Sequence, residues 1–376
     1  MTEAGSRFVS RDMQTLMTNL VLAATLGGLV QPIDWTPTPP GFDHGVIQAV
    51  DGVGEAMWSV GIDIEQEPGG PGQNFHPTAL RWDGGGWQQT VQPFPDGRLD
   101  DVLVRSTDDV WAVGATEMTD KDPMRPVLQH WTGDAWSVVN SPPLPVGESA
   151  QYTAIGEQGD DLLIGRYGAQ ASVLRYSDGG WQELPRTGFD LTYINDLKVV
   201  SGEIWAAGFS GVARFDGTTW HTAEMPVNGR VVLEELVMNS DDDIWAVGHQ
   251  SDPELLRRPL ALHYDGKNWT EVATPVVPGQ FHDLELVDGK PVAVGGGPGV
   301  LDPQIVAEFD GDAFVLTTSP AQMGSLVSSV EIDGCIWAAG YAVADPDDQR
   351  PHMPFIAAGH HSSQVRDCLL EIPPPS

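Results

Sequence analysis

The segment Leu233–Pro275, LEELVMNSDDDIWAVGHQSDPELLRRPLALHYDGKNWTEVATP, constrains the fold more than any other part of the chain. It holds four short apolar runs. LEELVM and IWAVG flank the acidic turn SDDD, ALHY and WTEV flank the tight turn DGKN, and a polar loop ending in Arg258-Pro259 joins the two pairs. Short apolar runs bounded by turn residues read as strands, and four in succession make one antiparallel meander. A single meander cannot bury its own faces and needs neighbours of the same kind.

The chain supplies those neighbours as imperfect copies, at Val46–Pro93, Asp100–Pro142, Tyr152–Pro185, Asn195–Pro226, His282–Pro320 and Ser328–His361. A second-strand column, Trp58, Trp111, Leu163, Trp205, Trp245, Val292 and Trp337, recurs about every 46 residues, a spacing found in propeller blades. The last copy lacks an outer strand. The segment Ile33–Phe42 offers one, because Trp35-Thr36 matches Trp269-Thr270 and prolines, a glycine and a phenylalanine come after both. The expectation is an all-β, seven-bladed β-propeller over residues 32–376, closed by an N-terminal strand so that no sheet edge is left open.

The repeated DVWAVG … HWDGxxW … VxSP pattern resembles the tryptophan-rich propeller repeats common in actinobacterial proteins. The strongest matches are Asp108–Gly114, Asp242–Gly248 and His130–Pro142, and the likeness spans Val46–His361. Many proteins with such repeats look secreted, so the resemblance implies export as well as fold. It carries no shared activity and transfers no catalytic residue.

Residues 1–31 stand outside the repeat. Arg7 and Arg11 precede the apolar stretch Leu16–Val30, the layout of a signal peptide, yet Glu3, Asp12, Thr18 and Asn19 dilute it and no small-x-small cleavage site comes after it. The competing reading is a helix from about Arg11 to Leu26 packed on the propeller. The stretch is shorter than a membrane span of roughly 20 residues. The weak signal favours a cytoplasmic protein. Cys335 and Cys368 allow either one disulfide pinning the tail or two buried thiols.

Charge narrows the partners. With 19 Lys plus Arg against 53 Asp plus Glu, the net charge of −34 repels nucleic-acid backbones and anionic lipid headgroups. It suits a small cationic or polar ligand, or a protein, bound by a monomer. The 13 tryptophans all occupy repeat positions, which assigns them to the core rather than to a stacking platform. A basic column, Arg81, His130, Arg175, Arg214 and His263, with Glu308 in its sixth place, is expected to pair with turn carboxylates such as Asp108 and Asp242 inside each blade.

Function should show as departures from the repeat. Aligned first-strand entries read Val46, Asp101, Thr153, Asp196, Glu235, Asp283 and Ser329. Four carboxylates converging on the axis would raise one another's pKa values unless a cation intervened, which makes Asp101, Asp196, Glu235 and Asp283 candidate ligands for Ca²⁺ or Mg²⁺. A second column after the second-strand glycine reads Ile62, Ala115, Tyr167, Phe209, His249, Gly296 and Tyr341, and Arg166 replaces the glycine itself in the third copy. Arg166, Tyr167, His249 and Tyr341 are the candidate catalytic or recognition groups. Long loops in the first, second, fifth and seventh copies make the rim lopsided. Two functions fit. One is a binding propeller using the long-loop face and acidic channel mouth. The other is a metal-assisted lyase, hydrolase or cyclase on the axis.

Overall fold

A computed structural model describes residues 30–66, 73–118, 122–344, 352–363 and 368–369. The expected leader or helix, the middles of three long loops and Arg350 therefore lie outside the described residues.

The described residues form antiparallel strands without a helix, paired in consecutive groups of four. The first strands are Gly45–Val53, Gly97–Ser106, Gln151–Gln158, Tyr193–Val200, Val231–Ser240, Gln280–Val287 and Gly324–Ile332. Each pairs with a second strand, which pairs with a third, which in the first six groups pairs with a short fourth. In the seventh group the place of the fourth strand is taken by Ile33–Pro37, which pairs with Met353–His361 in the register Ile33↔His361 to Pro37↔Ala357. The orphan Trp35 segment is thus the closing strand. Each first strand touches the next, and Gly324–Ile332 touches Gly45–Val53, so the groups form a closed ring with the first strands innermost.

Eleven tryptophans are buried, and Trp35 and Trp181 are half-buried. They seal junctions between groups. Trp58 of the first group lies 5.0 Å from Trp131 and 5.2 Å from Trp136 of the second. Trp337 of the seventh lies 5.1 Å from Trp82 of the first. Each such ring buries a large apolar area where two sheets meet.

The second-strand glycine has a specific job. Every first strand carries a β-bulge at one place, at Gln48, Asp100, Thr153, Asn195, Glu234, His282 or Val327. A Cβ on Gly248 would come within 2.1 Å of the Val232 carbonyl oxygen, and one on Gly114 within 2.2 Å of that of Arg98. At these glycines the bulged backbone of the first strand approaches too closely for a Cβ. Arg166 does occupy this place in the third group, opposite Tyr152.

Except for Arg81, which meets no carboxylate among the described residues, the basic column pairs inside its sheets, but with the residue one position later. His130 Nε2 meets Asp109 and His263 Nε2 meets Asp243, each at 2.8 Å, not Asp108 or Asp242. The same carboxylates accept the indole N–H of Trp111 and Trp245. Strand alternation explains the offset: Asp109 and Asp243 begin second strands and share a face with the tryptophan two residues on. In the sixth group the charges are exchanged, with Lys290 Nζ 2.9 Å from Glu308. In the seventh the position is Cys335, bonded to Cys368 with Cα atoms 5.8 Å apart. The disulfide alternative is the one the structure takes.

Candidate functional site

The bulge sets the true alignment of the channel residues. Those after it are Ala49, Asp101, Ala154, Asp196, Glu235, Asp283 and Ser328. Val46, Thr153 and Ser329, placed in this column from sequence, are out of register with it. One extra residue per strand is invisible to a pattern match and shifts the facing side chain. The four carboxylates expected as cation ligands do occupy equivalent places.

Most of them are committed to the scaffold. Asp101 accepts the N–H of Val102 and, from the next group, that of Ile155, both at 2.8 Å. Asp196 accepts from Leu197 at 2.7 Å and from Leu236 of the next group at 2.9 Å. Asp283 does the same with Leu284 and Ser329 at 2.5 Å. Asp51, two residues further along its strand than Asp101 in register, reaches Val104 at 2.6 Å. The hydroxyls of Thr153 and Ser328 make corresponding links to Ile194 and Val50. These side chains button innermost strands together at the junctions other than that of the fifth and sixth groups.

Glu235 is different. Lys198, from the preceding first strand, places its ammonium 2.7 Å from Glu235 and 3.5 Å from Asp196. Although 41% of the Lys198 side chain is open, an innermost strand opens onto the lumen, where protein walls surround the charge. Burial works against that charge, but Asp196 and Glu235 outweigh it and hold the ammonium's pKa well above the usual lysine value. Burial, then Asp196, raises Glu235. Burial also pushes Asp101 to about 7 and Asp283 to about 6, and raises Glu285 and Asp51. Among the described residues Lys198 is thus a built-in cation amid several carboxylates, and burial and mutual repulsion raise Asp101, Glu235, Asp283 and Glu285 above the ordinary carboxylate range. Among the described residues, no set of three or more His, Cys, Asp or Glu side chains is arranged to hold a metal ion. Lys198 was missed from sequence; the signal was a lysine in NDLKVV at the place where the other first strands carry Asp51, Leu103, Gly156, Val237, Glu285 and Val330.

At the mouth, the second column falls into register as expected. Tyr167 faces Gln151, Phe209 faces Tyr193, His249 faces Val232 and Tyr341 faces Ser325. The four candidates do not form one constellation. Arg166 ion-pairs with Glu183 of its own sheet at 2.8 Å. Tyr341 packs edge-on against His352, ring centroids 4.6 Å apart. Tyr167 joins Tyr193 at 5.0 Å and, through it, Phe209 at 5.3 Å. His249 is 9% exposed, lies 3.8 Å from Glu234, and its Nδ1 has no hydrogen-bond partner. Burial, with Arg257 and Arg230, lowers its pKa to about 4, so the ring is neutral.

First-strand residues facing this column also build the mouth, and no repeat pattern singles them out. Arg98 meets Asp100 at 2.7 Å and Gln151, whose amide donates to the Tyr193 hydroxyl at 2.9 Å. Arg257 donates to Gln280 at 2.6 Å, and Gln280 to His282 at 2.9 Å. Two clefts of 480 and 460 Å³ open elsewhere, between the fifth and sixth groups beside Trp245 and Lys290, and between the fourth and fifth beside Trp205 and Met225.

No family model and no curated protein matches the chain. Solved structures do. The WD40 β-propeller domain of Doa1 superposes with a TM-score of 0.56 at 15% identity, covering 87% of this chain and 96% of that one. The chain is a β-propeller. YCF48 bound to D1 peptide superposes on this propeller with a TM-score of 0.55 at 15% identity, covering 88% and 97% of the two chains. The GH74 xyloglucanase from Xanthomonas campestris gives 0.54 at 14% identity, over 86% of the propeller but 55% of the enzyme. At these identities the likeness is one of fold.

Proposed function

We propose that the groups are seven blades of one propeller, and that it binds a peptide segment of a protein partner on the channel-mouth face. The observation that carries this is where the exposed apolar side chains stand. In antiparallel meanders every connection from second to third strand leaves the same end of the sheets. Met118 (65% exposed), Tyr167, Leu256 (73%), Leu301 and Met353 belong to those connections or the strand ends beside them. Val91, Val146 and Val276 belong to the fourth-to-first-strand connections at the same end, and Val53 and Val138 stand elsewhere. Apolar residues gathered on one face around a polar centre mark an interaction surface. The solved propeller that holds D1 peptide supports the same kind of partner. The catalytic alternative finds less support: its carboxylates accept backbone N–H groups or pair with Lys198, and its proton-transfer candidates have separate partners.

Photo-crosslinking tests the reading. A photoreactive residue at Leu256 should capture one defined partner in cells of the source organism, whereas one at Val53, at the end of a first strand on the opposite face, should not. Equal capture at both positions would sink the proposal.

A further inference from the structure

We infer that the mouth between the fifth and sixth blades is a carboxylate-binding site with an aromatic shelf beside it, built to take an acidic peptide segment that carries an aromatic side chain. The inference rests on the mouth face being the binding face, and it names the chemistry of the ligand.

Two guanidinium groups define the site. The backbone lays Arg230, Ser251, Arg257 and Gly279 side by side: Ser251 N donates to the Arg230 carbonyl at 3.0 Å, Ser251 pairs with Arg257, and Gly279 N donates to the Arg257 carbonyl at 3.0 Å. Both arginines are exposed, and among the described residues neither is ion-paired. Arg257 has only the neutral amide of Gln280, and Arg230 lies over the Phe209 ring at 5.8 Å. Several other arginines behave differently. Arg98, Arg105, Arg166, Arg214 and Arg258 each hold a carboxylate. Among the described residues Arg81, Arg125 and Arg186 also lack a carboxylate, but Arg230 and Arg257 are the pair that the backbone sets on either side of Ser251 at the mouth, next to a buried group without a partner.

A second observation lies beneath them. The unpartnered Nδ1 of His249 is buried at the mouth, and an unmet buried polar atom costs roughly 1–3 kcal/mol. A ligand oxygen or N–H reaching past the arginines would satisfy it. The acidic groups of the mouth cancel the arginines only in part: Asp100 is held by Arg98 at 2.7 Å, and burial raises Glu234 to about 7 against the pull of Arg257, so part of it is neutral at neutral pH. His282 and His249, both lowered to about 4 by burial first, add no charge of their own. Tyr167, Tyr193 and Phe209 form the shelf, with Tyr167 41% exposed.

The net charge of the whole chain points the other way, toward a cation. Distance decides between them. At physiological salt the field of remote carboxylates is screened over about 8 Å, whereas a bidentate arginine–carboxylate pair acts in contact. A basic peptide would instead set its cations against two unpaired guanidiniums.

Selection from a random-peptide display library on the full chain tests this, with an Arg230→Gln/Arg257→Gln variant as comparison. Both side chains are exposed, so the variant should melt as the parent does. The expected result is enrichment of sequences combining Asp or Glu with Phe, Tyr or Trp. A synthetic copy of the enriched peptide, amidated so that only side-chain carboxylates are offered, should bind the variant at least about tenfold more weakly and should weaken with salt. A basic or neutral consensus that survives the arginine changes but is lost in Tyr167→Ala/Leu256→Ala would overturn the carboxylate site and leave the binding face standing. No enrichment at all would overturn both.

Discussion

The Lys198 ammonium lies 2.7 Å from the Glu235 carboxylate, joining the innermost strands of the fourth and fifth blades inside a channel lined by acids. Calcium or magnesium, expected there from the sequence, would have to compete with a cation the chain already carries. Addition of calcium or of a chelator should leave the melting temperature of the parent protein unchanged. Lys198→Gln should lower stability by about 2 kcal/mol, less than a fully buried pair because part of the side chain is open, and should acquire a stabilising response to calcium. Calcium-dependent melting of the parent in differential scanning calorimetry would overturn this account.

Stability should fall as pH rises through the acid range and into neutrality. Glu234 titrates near 4.5 when exposed and at about 7 in the fold, so between those values the folded state holds the extra proton and loses its advantage as pH climbs. His249 and His282, lowered to about 4 in the fold, act with the opposite slope below their ordinary pKa. The difference between parent and Glu234→Gln isolates the carboxyl. The parent should lose up to about 3 kcal/mol more than the variant between pH 4 and pH 7.5 in urea unfolding. Parallel profiles would show that Glu234 is not held protonated.

Reduction of Cys335–Cys368, or Cys335→Ser, should cost about 3–4 kcal/mol, the loop-closure value for cysteines 33 residues apart. Urea unfolding with and without reductant measures it. The bond stands where other blades hold an Asp–His or Lys–Glu pair, so the loss should centre on the last blade and show first as hydrogen exchange in Met353–His361.

Gly248→Ala should abolish folding or cost more than about 3 kcal/mol, because its Cβ would lie 2.1 Å from the Val232 carbonyl oxygen. Gly86→Ala meets nothing within 4 Å and should fold normally. Comparable melting of the two variants would remove the bulge as the reason for the repeated glycine.

The blades were legible in the sequence because the tryptophan column and the DG turns are local. Asp265 shows how local: its carboxylate caps the N–H groups of Lys267 and Asn268, two and three residues on, at 2.9 and 2.8 Å. The closing strand was legible for the same reason, since Trp35-Thr36 copies Trp269-Thr270. The channel was less so. Four carboxylates were found in their column, but a bulge hidden in each strand moved three other assignments out of register, and the bonds from Asp101 to Ile155 and from Asp196 to Leu236 cross between blades. Arg230 and Arg257 come together only through the pairing of Ser251 with its two neighbours, which no linear pattern records.

The closing strand has one further implication. Ser362 donates its N–H to the Pro32 carbonyl at 2.9 Å, so the two ends of the propeller meet in a single sheet. A chain relinked across that meeting point and reopened in the exposed connection at Asp190 would trace the same ring without an interrupted blade. Covalent order would then run unbroken where the native protein relies on hydrogen bonds to keep its first and last segments together.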